Sequence, residues 1–350
     1  MSEKYVAYVG TYTRGSGEGI YIYDVNAEEG TMKKRKSVPV SNSAYLCFSA
    51  DNRFLYSIAD DGVAGFRIEK DGDLTFLNRV EIDGMRASHL SVDRSGRFLF
   101  TGGYYDGKVT VLGLNSDGSL RGVLDGVYHR GTGSVAERNF RPHVCCVKMT
   151  PDQKYLCAVD NGIDQVKMYT VSDEGKLHLA ETLRCPRDSG PRRICFSGDG
   201  RFFYVVCELA NVVEVYSCTN TDKGPVLDKI QEISTTSDNV DKLHDAACGM
   251  TITRDGKHLF TSTAGDNSVA MFEVDQETGL LTKKFALPIS GEYPRHINLF
   301  PDDRHIACLN YESNLITTFT INYDKNLILQ KGRPKKIDTP NCILFRETDE

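Results

Sequence analysis

One short phrase recurs six times along this 350-residue chain and constrains the fold more than any other feature. Each copy joins an apolar segment, a polar turn rich in Asp or Gly, a Lys or Arg, and a second apolar segment. The basic residues that mark the copies are Arg53, Arg97, Lys154, Arg201, Lys257 and Arg304. Their spacing of roughly 50 residues is typical of the four-stranded blade of a β-propeller.

Two further segments complete each repeat. Stretches such as 165–169 and 212–216 alternate apolar and polar residues and are rich in β-branched side chains, a pattern that predicts half-buried strands. Asp-Gly pairs between segments supply the positive φ that tight hairpins need. Because no long apolar stripe with a helical period occurs, the sequence predicts an all-β protein made of four-stranded blades.

The two ends of the chain determine the number of blades. Residues 339–345 have the pattern of a first strand without a second, and residues 5–12 that of a second strand without a first. Pairing them in one blade closes a ring and leaves few open sheet edges. We therefore predict a single-domain seven-bladed β-propeller over residues 1–350, closed by its N- and C-terminal strands. An open pair of β-sheets is the alternative, and the absence of Trp argues against a WD40-type repeat.

Composition excludes several classes of function. The formal net charge of −6 provides no basic surface for nucleic acid and no polybasic patch for a membrane. No apolar run is long enough to span a bilayer, and residues 1–4 do not begin a secretory signal. The 11 cysteines include no C-x-x-C pair and many lie in apolar segments, which favours reduced thiols in a cytoplasmic protein. The oligomeric state stays open.

Cationic residues recur just before the first strand of four predicted blades. In a propeller these first strands line the central channel, so the loops that enter them meet at one mouth. The residues are Arg86 and His89, Arg141 and His143, Arg192 and Arg193, and Arg295 and His296. The corresponding residues of the sixth blade, 246–250, are neutral. A ring of arginines and histidines suits an anionic substrate, because the arginine fork matches carboxylate and phosphate.

The same mouth should receive residues that end the second strands, including the carboxylate of Glu208. Glu208 or His143 could act as a base on water, and a nearby arginine could stabilise an oxyanion. Cys145 lies near His143, but its place in a first strand favours a packed thiol over a nucleophile. Neither a phosphate loop, a nucleophile elbow nor convincing metal-ligand spacing occurs, so we expect no cofactor and no metal.

Several phrases at these positions resemble a known family. They are residues 8–13 (YVGTYT), 89–93 (HLSVD), 142–143 (PH), 190–192 (GPR), 208–209 (EL) and 294–295 (PR). Together they resemble the lactonase family of seven-bladed β-propellers, the bacterial 6-phosphogluconolactonase type, to which the fungal carboxy-cis,cis-muconate cyclases are related. The resemblance covers nearly the whole chain.

The resemblance implies hydrolysis of 6-phosphogluconolactone to 6-phosphogluconate in the pentose phosphate pathway. A His, an Arg and a Glu implicated in the cyclase relatives match His143, Arg192 and Glu208, which are the predicted catalytic residues. By that analogy Arg192 would hold a carboxylate or steady the oxyanion, while Glu208 or His143 would handle the proton or the water. The predicted substrate-binding residues are His89, Arg141, Arg193, Arg295 and His296.

The chain departs from the family pattern mainly in the sixth blade. Gly249 and Thr251 stand where the family has an acidic residue and a His, and Ala264 stands where it has an Arg. In the fifth blade, Arg193 replaces a His and Cys207 replaces an Asn. Arg193 could supply the missing charge from the neighbouring blade. Two other functions therefore stay open: a cycloisomerase or lactonase for another anionic substrate, and a non-catalytic binding propeller.

Overall fold

The computed structural model describes residues 5–134, 139–222, 224–237 and 244–348. Within them the chain forms seven antiparallel sheets, each a blade whose first-named strand lies innermost. Blade 1 contains β29 (Pro340–Glu347), β1 (Tyr5–Thr11), β2 (Gly19–Asn26) and β3 (Thr31–Pro39). Blade 2 contains β4 (Leu46–Phe48), β5 (Phe54–Ile58), β6 (Gly62–Ile68) and β7 (Leu74–Glu81), and blade 3 contains β8 (His89–Val92), β9 (Phe98–Gly102), β10 (Lys108–Leu114) and β11 (Leu120–Tyr128).

The remaining blades follow the same order. Blade 4 contains β12 (Val144–Met149), β13 (Leu156–Asp160), β14 (Gln165–Val171) and β15 (Leu177–Arg184). Blade 5 contains β16 (Pro191–Phe196), β17 (Phe202–Cys207), β18 (Val212–Thr221) and β19 (Gly224–Ser234), and blade 6 contains β20 (Ala246–Ile252), β21 (His258–Ala264), β22 (Ser268–Val274) and β23 (Leu281–Pro288). Blade 7 contains β24 (Pro294–Leu299), β25 (His305–Asn310), β26 (Leu315–Asn322), β27 (Leu327–Gln330) and the short β28 (Lys335–Lys336).

The two ends of the chain meet in blade 1. β29 pairs antiparallel with β1, and Tyr5 lies opposite Glu347 while Gly10 lies opposite Cys342. Each terminal strand therefore supplies hydrogen-bond partners for the backbone groups of the other, which would otherwise be unpaired at a sheet edge. The predicted all-β fold, the seven blades and the closure by terminal strands are confirmed.

Burial is greatest in the middle strands of each blade. Every residue of β5 is buried, whereas no residue of β7, at the rim of the same blade, is buried. The blades are also joined by a recurring contact in which a buried tyrosine of a second strand donates to a glycine carbonyl of the next blade. The three pairs are Tyr8 with Gly72, Tyr56 with Gly118, and Tyr204 with Gly279. Aromatic side chains thus fill the spaces between blades while their hydroxyls stay hydrogen-bonded.

The recurring phrase forms the turn between the first and second strands. In blade 5 the Asp199 carboxylate accepts hydrogen bonds from the Ser197 hydroxyl at 2.6 Å and from the Arg201 amide at 3.0 Å. Thr253 and Asp255 repeat the contact in blade 6. A side chain that bonds its own backbone two residues away stabilises a turn locally. These turns lie at the end of the channel opposite the mouth, so their basic residues take no part in the mouth.

Two connections between repeats are longer than the others, residues 121–140 and 219–245. The second is a hairpin, in which β18 and β19 pair from Val212 and Ser234 out to Thr221 and Gly224. The first contains β11 followed by an irregular segment that leads into β12. Residues 135–138, 223 and 238–243 of these connections lie outside the described residues. In the described part of the chain, no helix is long and apolar enough to cross a membrane.

Candidate active site at the channel mouth

Irregular strand pairing shapes the mouth, the end of the channel at which the inner strands begin. Where five inner strands pair with their second strands, the register shifts near the mouth. The residues left without a partner in these bulges are Cys145, Arg192, Cys248 with Gly249, Arg295 and Asn341. A bulge breaks the strict alternation of a strand and re-aims a side chain. It explains how the consecutive residues Arg192 and Arg193 both reach the same cavity.

The mouth contains a cavity of about 270 Å³. Arginines and tyrosines dominate its wall: Arg86, Arg192, Arg193, Arg295, Tyr12, Tyr104, Tyr105 and Tyr293, joined by Glu208, Cys145 and Asn341. The lining includes the residues at the bulges of blades 1, 4, 5 and 7, which are Asn341, Cys145, Arg192 and Arg295. Glu208 is the one acidic residue of that lining, so the cavity is positive although the whole chain is acidic.

The predicted catalytic residues Arg192 and Glu208 form a buried ion pair in this wall. Arg192 Nη1 donates to Glu208 Oε2 at 2.5 Å, and Asn161 Nδ2 donates to the same oxygen at 3.2 Å. The two charged side chains are only 11% and 4% exposed. Burial is the largest single effect and disfavours the charged guanidinium, but the Glu208 carboxylate together with Cys248, Tyr293 and Cys145 outweighs it and raises the pKa of Arg192 well above its usual value. A carboxylate oriented by two donors next to a cation provides a base and an oxyanion partner in one place.

The outer rim of the cavity is aromatic and cationic. The guanidinium carbons of Arg86 and Arg295 lie 5.2 and 5.9 Å from the ring centre of Tyr12. Arg295 also lies 5.3 Å from the Tyr311 ring, and Arg86 Nη1 lies 3.9 Å from Asp60 Oδ1. Cation–π contacts of this kind hold an arginine in place without using its hydrogen-bond donors.

Arg193 lies at the floor of the cavity and reaches across the channel to blade 2. The Arg193 guanidinium lies 4.9 Å from the ring centre of Tyr45 in blade 2, and its Nη1 donates to the Cys145 carbonyl at 3.2 Å. His89 packs on the same tyrosine ring at 4.2 Å, and His296 meets it edge-on at 6.1 Å. Burial, followed by the Arg193 charge, lowers the pKa of His296 to about 3 and that of His89 well below the usual value. Both imidazoles are therefore neutral at pH 7.

Four predicted site residues are not part of the cavity lining: His89 and His296, which pack around Tyr45, and His143 and Arg141. His143 is buried behind Tyr104: its ring stacks on the Tyr104 ring at 4.3 Å and its Nδ1 donates to the Tyr104 carbonyl at 2.5 Å. Its amide donates to Asp160 Oδ1 at 2.7 Å. Arg141 is exposed and packs over Phe140 at 5.6 Å. His143 therefore contacts the cavity wall from behind, while Arg141 faces solvent.

Blade 6 contributes small side chains to the mouth. Ala246, Cys248 and Ala264 are buried together, and Tyr293 from the next loop packs against them. Tyr293 has a φ of 58°, a conformation that costs energy for a bulky residue. Hydrogen bonds on both sides hold it, because its amide donates to Asn267 Oδ1 at 2.9 Å and its carbonyl accepts from the Tyr311 amide at 2.9 Å. A tyrosine from blade 7 thus occupies the space beside the blade that departs from the family pattern.

The cysteines at the mouth are packed thiols. Burial raises the pKa of Cys145 and of Cys248, and the charge of Arg192 only partly opposes that effect. Cys145 Sγ lies 3.2 Å from the Arg192 carbonyl, where a thiol acts as a weak donor. A protonated, buried thiol is a poor nucleophile. Among the described residues, no group of three or more His, Cys, Asp or Glu side chains could hold a metal ion.

Sequence reasoning did not select Asn341 or the four cavity tyrosines as site residues. Asn341 had a signal in the sequence: it follows a proline at the start of an inner strand, as His143, Arg192 and Arg295 do. Tyr293 directly precedes Pro294, the proline that Arg295 follows. No such marker distinguishes Tyr104 and Tyr105, which enter the cavity from the loop after β9.

Comparison with known proteins gives a consistent result. The model of the family described as "Lactonase, 7-bladed beta-propeller" matches residues 6–345. A 6-phosphogluconolactonase of Bacillus subtilis is 32% identical over 350 residues, covering 98% of each chain. A solved structure of a putative 6-phosphogluconolactonase from Bacteroides fragilis has a TM-score of 0.90 at 30% identity, covering 99% of this chain and 98% of that one. A periplasmic gluconolactonase of Pseudomonas aeruginosa has a TM-score of 0.92 at 27% identity, covering 98% and 99%.

Proposed function

This chain belongs to the lactonase family of seven-bladed β-propellers. On that premise we propose that it hydrolyses a sugar lactone, the phosphorylated 6-phosphogluconolactone, at the channel mouth. The buried Arg192–Glu208 pair in a cavity lined by three further arginines is the observation that carries the proposal. The product, 6-phosphogluconate, would enter the pentose phosphate pathway.

The pair supplies the two functions that lactone opening requires. The Glu208 carboxylate takes a proton from water while the water oxygen attacks the lactone carbonyl carbon. The carbonyl electron pair moves onto its oxygen, where the Arg192 guanidinium stabilises the negative charge. When the tetrahedral intermediate collapses, the bond from the carbonyl carbon to the ring oxygen breaks and that oxygen receives the proton held by Glu208. Water is the only co-reactant, and the product is the open hydroxy acid.

We assign His143 a positioning role, because it contacts Tyr104 from behind and is absent from the cavity lining. The remaining cations of the cavity would bind the anionic end of the substrate: Arg86 and Arg295 at the rim and Arg193 at the floor. Arg141 faces solvent and has no part in this proposal. A cytoplasmic location stays a prediction, since one similar structure is named periplasmic.

The test compares opening of 6-phosphogluconolactone by the purified protein with spontaneous opening in the same buffer. We expect a rate above the background, and a loss of about 100-fold or more in kcat for Glu208→Gln and for Arg192→Ala. Arg201→Ala is the matched control, because Arg201 pairs with Asp199 at the opposite end of the same two strands. Folded protein that opens the lactone no faster than buffer would refute the proposal for this substrate.

An unphosphorylated lactone is the second candidate substrate. The similar Pseudomonas protein is named a gluconolactonase, and blade 6 offers small neutral side chains where the family pattern has charged ones. Gluconolactone assayed beside its 6-phosphate distinguishes the two. A kcat/KM that favours the phosphorylated lactone at least tenfold supports the first candidate, and equal values support the second.

A further inference from the structure

The wall of the central channel carries a charge opposite to that of the whole protein. The inner strands β4, β8, β12, β16, β20, β24 and β29 contain five basic residues, Lys148, Arg192, Arg193, Arg295 and Arg346. Their one acidic residue is Glu347, which pairs with Tyr5 at the end of β29 away from the mouth. In a chain with a net charge of −6, this separation creates a positive channel that attracts anions.

Arg193 is the cation of this wall that most needs an anion. Its neighbour Arg192 is neutralised by Glu208. No carboxylate lies within ion-pair distance of Arg193 among the described residues, and its leading electrostatic neighbours are Tyr45, Cys146, Arg192 and Cys145. A half-buried guanidinium without a counter-ion is unfavourable unless a ligand or water supplies the missing interactions.

The surroundings of Arg193 suit a small oxyanion. The guanidinium has five donors, and its one side-chain hydrogen bond among the described residues uses Nη1, on the Cys145 carbonyl. The guanidinium carbon lies 4.9 Å from the centre of the Tyr45 ring, a cation–π contact that helps hold the side chain in place. His89 and His296 pack on that same ring, and because both are neutral at pH 7 neither competes for the anion as a second cation.

We propose that the channel floor formed by Arg193, Tyr45, His89 and His296 is an oxyanion seat that binds a phosphate group through the Arg193 fork. The phosphate is either inorganic orthophosphate or the phosphoryl group of a sugar phosphate. The seat is separate from the Arg192–Glu208 pair, which provides the chemistry. This proposal rests on the proposed function and adds to it the residue that would bind the phosphate group. Its test measures binding and does not require catalytic turnover.

The test is calorimetric titration of the full chain with orthophosphate in phosphate-free buffer. We expect millimolar or tighter binding, at least tenfold weaker in Arg193→Met and intermediate in Arg193→Lys, which keeps the charge but loses the fork. Arg201→Met controls for the loss of one positive charge and should bind as the wild type does. Arg295→Met tests the rival seat at the rim.

Thermal unfolding separates a binding role from a structural one. Without phosphate, Arg193→Met should unfold at the same temperature as the wild type or higher, because it removes an uncompensated cation. Added phosphate should raise the unfolding temperature of the wild type and leave that of Arg193→Met unchanged. Unaltered phosphate binding in Arg193→Met, loss of binding only in Arg295→Met, or no binding by folded wild type would each overturn the proposal.

Competition identifies the source of the phosphate. If orthophosphate displaces 6-phosphogluconate but not gluconate, the seat takes the phosphoryl group of the substrate. If orthophosphate and 6-phosphogluconate bind together, the seat holds a free anion beside the substrate. Both results require Arg193. Neither result depends on lactonase activity. Failure of the proposed function can therefore be distinguished from failure of this proposal.

Discussion

Replacing both members of the Arg192–Glu208 pair should restore much of the stability that replacing either one removes. The perturbation is a cycle of Arg192→Met, Glu208→Met and the double variant. Removing one partner leaves the other charge buried, since the side chains are only 11% and 4% exposed. Breaking a buried pair in this way costs about 3–5 kcal/mol, whereas replacing both charges with apolar groups of similar size is often close to neutral.

The lower end of that range applies here, because Asn161 continues to hydrogen-bond Glu208 when the arginine is removed. We expect each single variant to lose about 3 kcal/mol of unfolding free energy and the double variant to lose less than either. The coupling energy should then be about 3 kcal/mol or more. The assay is urea unfolding followed by circular dichroism, with equal m-values required before the free energies are compared.

The Arg201–Asp199 pair is the matched control. It has the same 2.5 Å separation, but its side chains are 53% and 48% exposed. Water screens an exposed pair, so the corresponding cycle should give a coupling near the experimental error. Additive losses at Arg192 and Glu208, or equal coupling in both cycles, would refute the reasoning. The double variant should also lack lactonase activity, which would separate the chemistry of the pair from its effect on folding.

Three further predictions concern closure, packing and pH. Deletion of residues 340–350 removes β29 and exposes the edge of β1, so size-exclusion chromatography should show aggregated rather than monodisperse protein. Gly249→Ala should lower the unfolding free energy measured in urea by about 1–3 kcal/mol, because an added Cβ would lie 2.8 Å from Ser262 Oγ. The control, Gly198→Ala, should be neutral because the added Cβ would meet open space. Equal losses of stability in the two variants would contradict the packing argument. Burial and Arg193 lower the pKa of His296 to about 3, so the unfolded chain binds more protons below pH 6.5 and stability should fall from pH 7 to pH 5. His296→Asn should flatten that slope, and an unchanged slope would contradict the assignment.

The fold could be predicted from the sequence because every repeat contains the residues that form its own turns. Each Asp of the recurring phrase bonds its own turn, as Asp199 does through Ser197 and the Arg201 amide, so the turn needs no information from the rest of the chain. Ring closure followed from two incomplete repeats at the ends. The blade assignment of Arg192 and Glu208 followed in turn, because both lie at fixed places in the repeat.

The detailed site could not be predicted, because bulges decide which residues reach the cavity. Strict alternation would send Arg192 and Arg193 to opposite faces, whereas the register shift between Pro191 and Arg193 lets both line it. His143 fills the equivalent place after a proline in blade 4, yet the bulge there falls at Cys145 and leaves the imidazole behind Tyr104. The bulge lies one residue after the proline in blade 5 and three residues after it in blade 4, and this difference is invisible in a pattern of apolar and polar residues.

The same geometry explains why the altered sixth blade does not leave the mouth uncharged. The bulge is kept there, at Cys248 and Gly249, but the packing of Gly249 against Ser262 and Ile297 leaves no room for a longer side chain. Tyr293 covers that side of the cavity. The positive charge is instead concentrated in blade 5, where Arg192 is balanced by Glu208 and Arg193 is not. An anionic ligand should therefore depend on Arg193 far more than on any residue of blade 6.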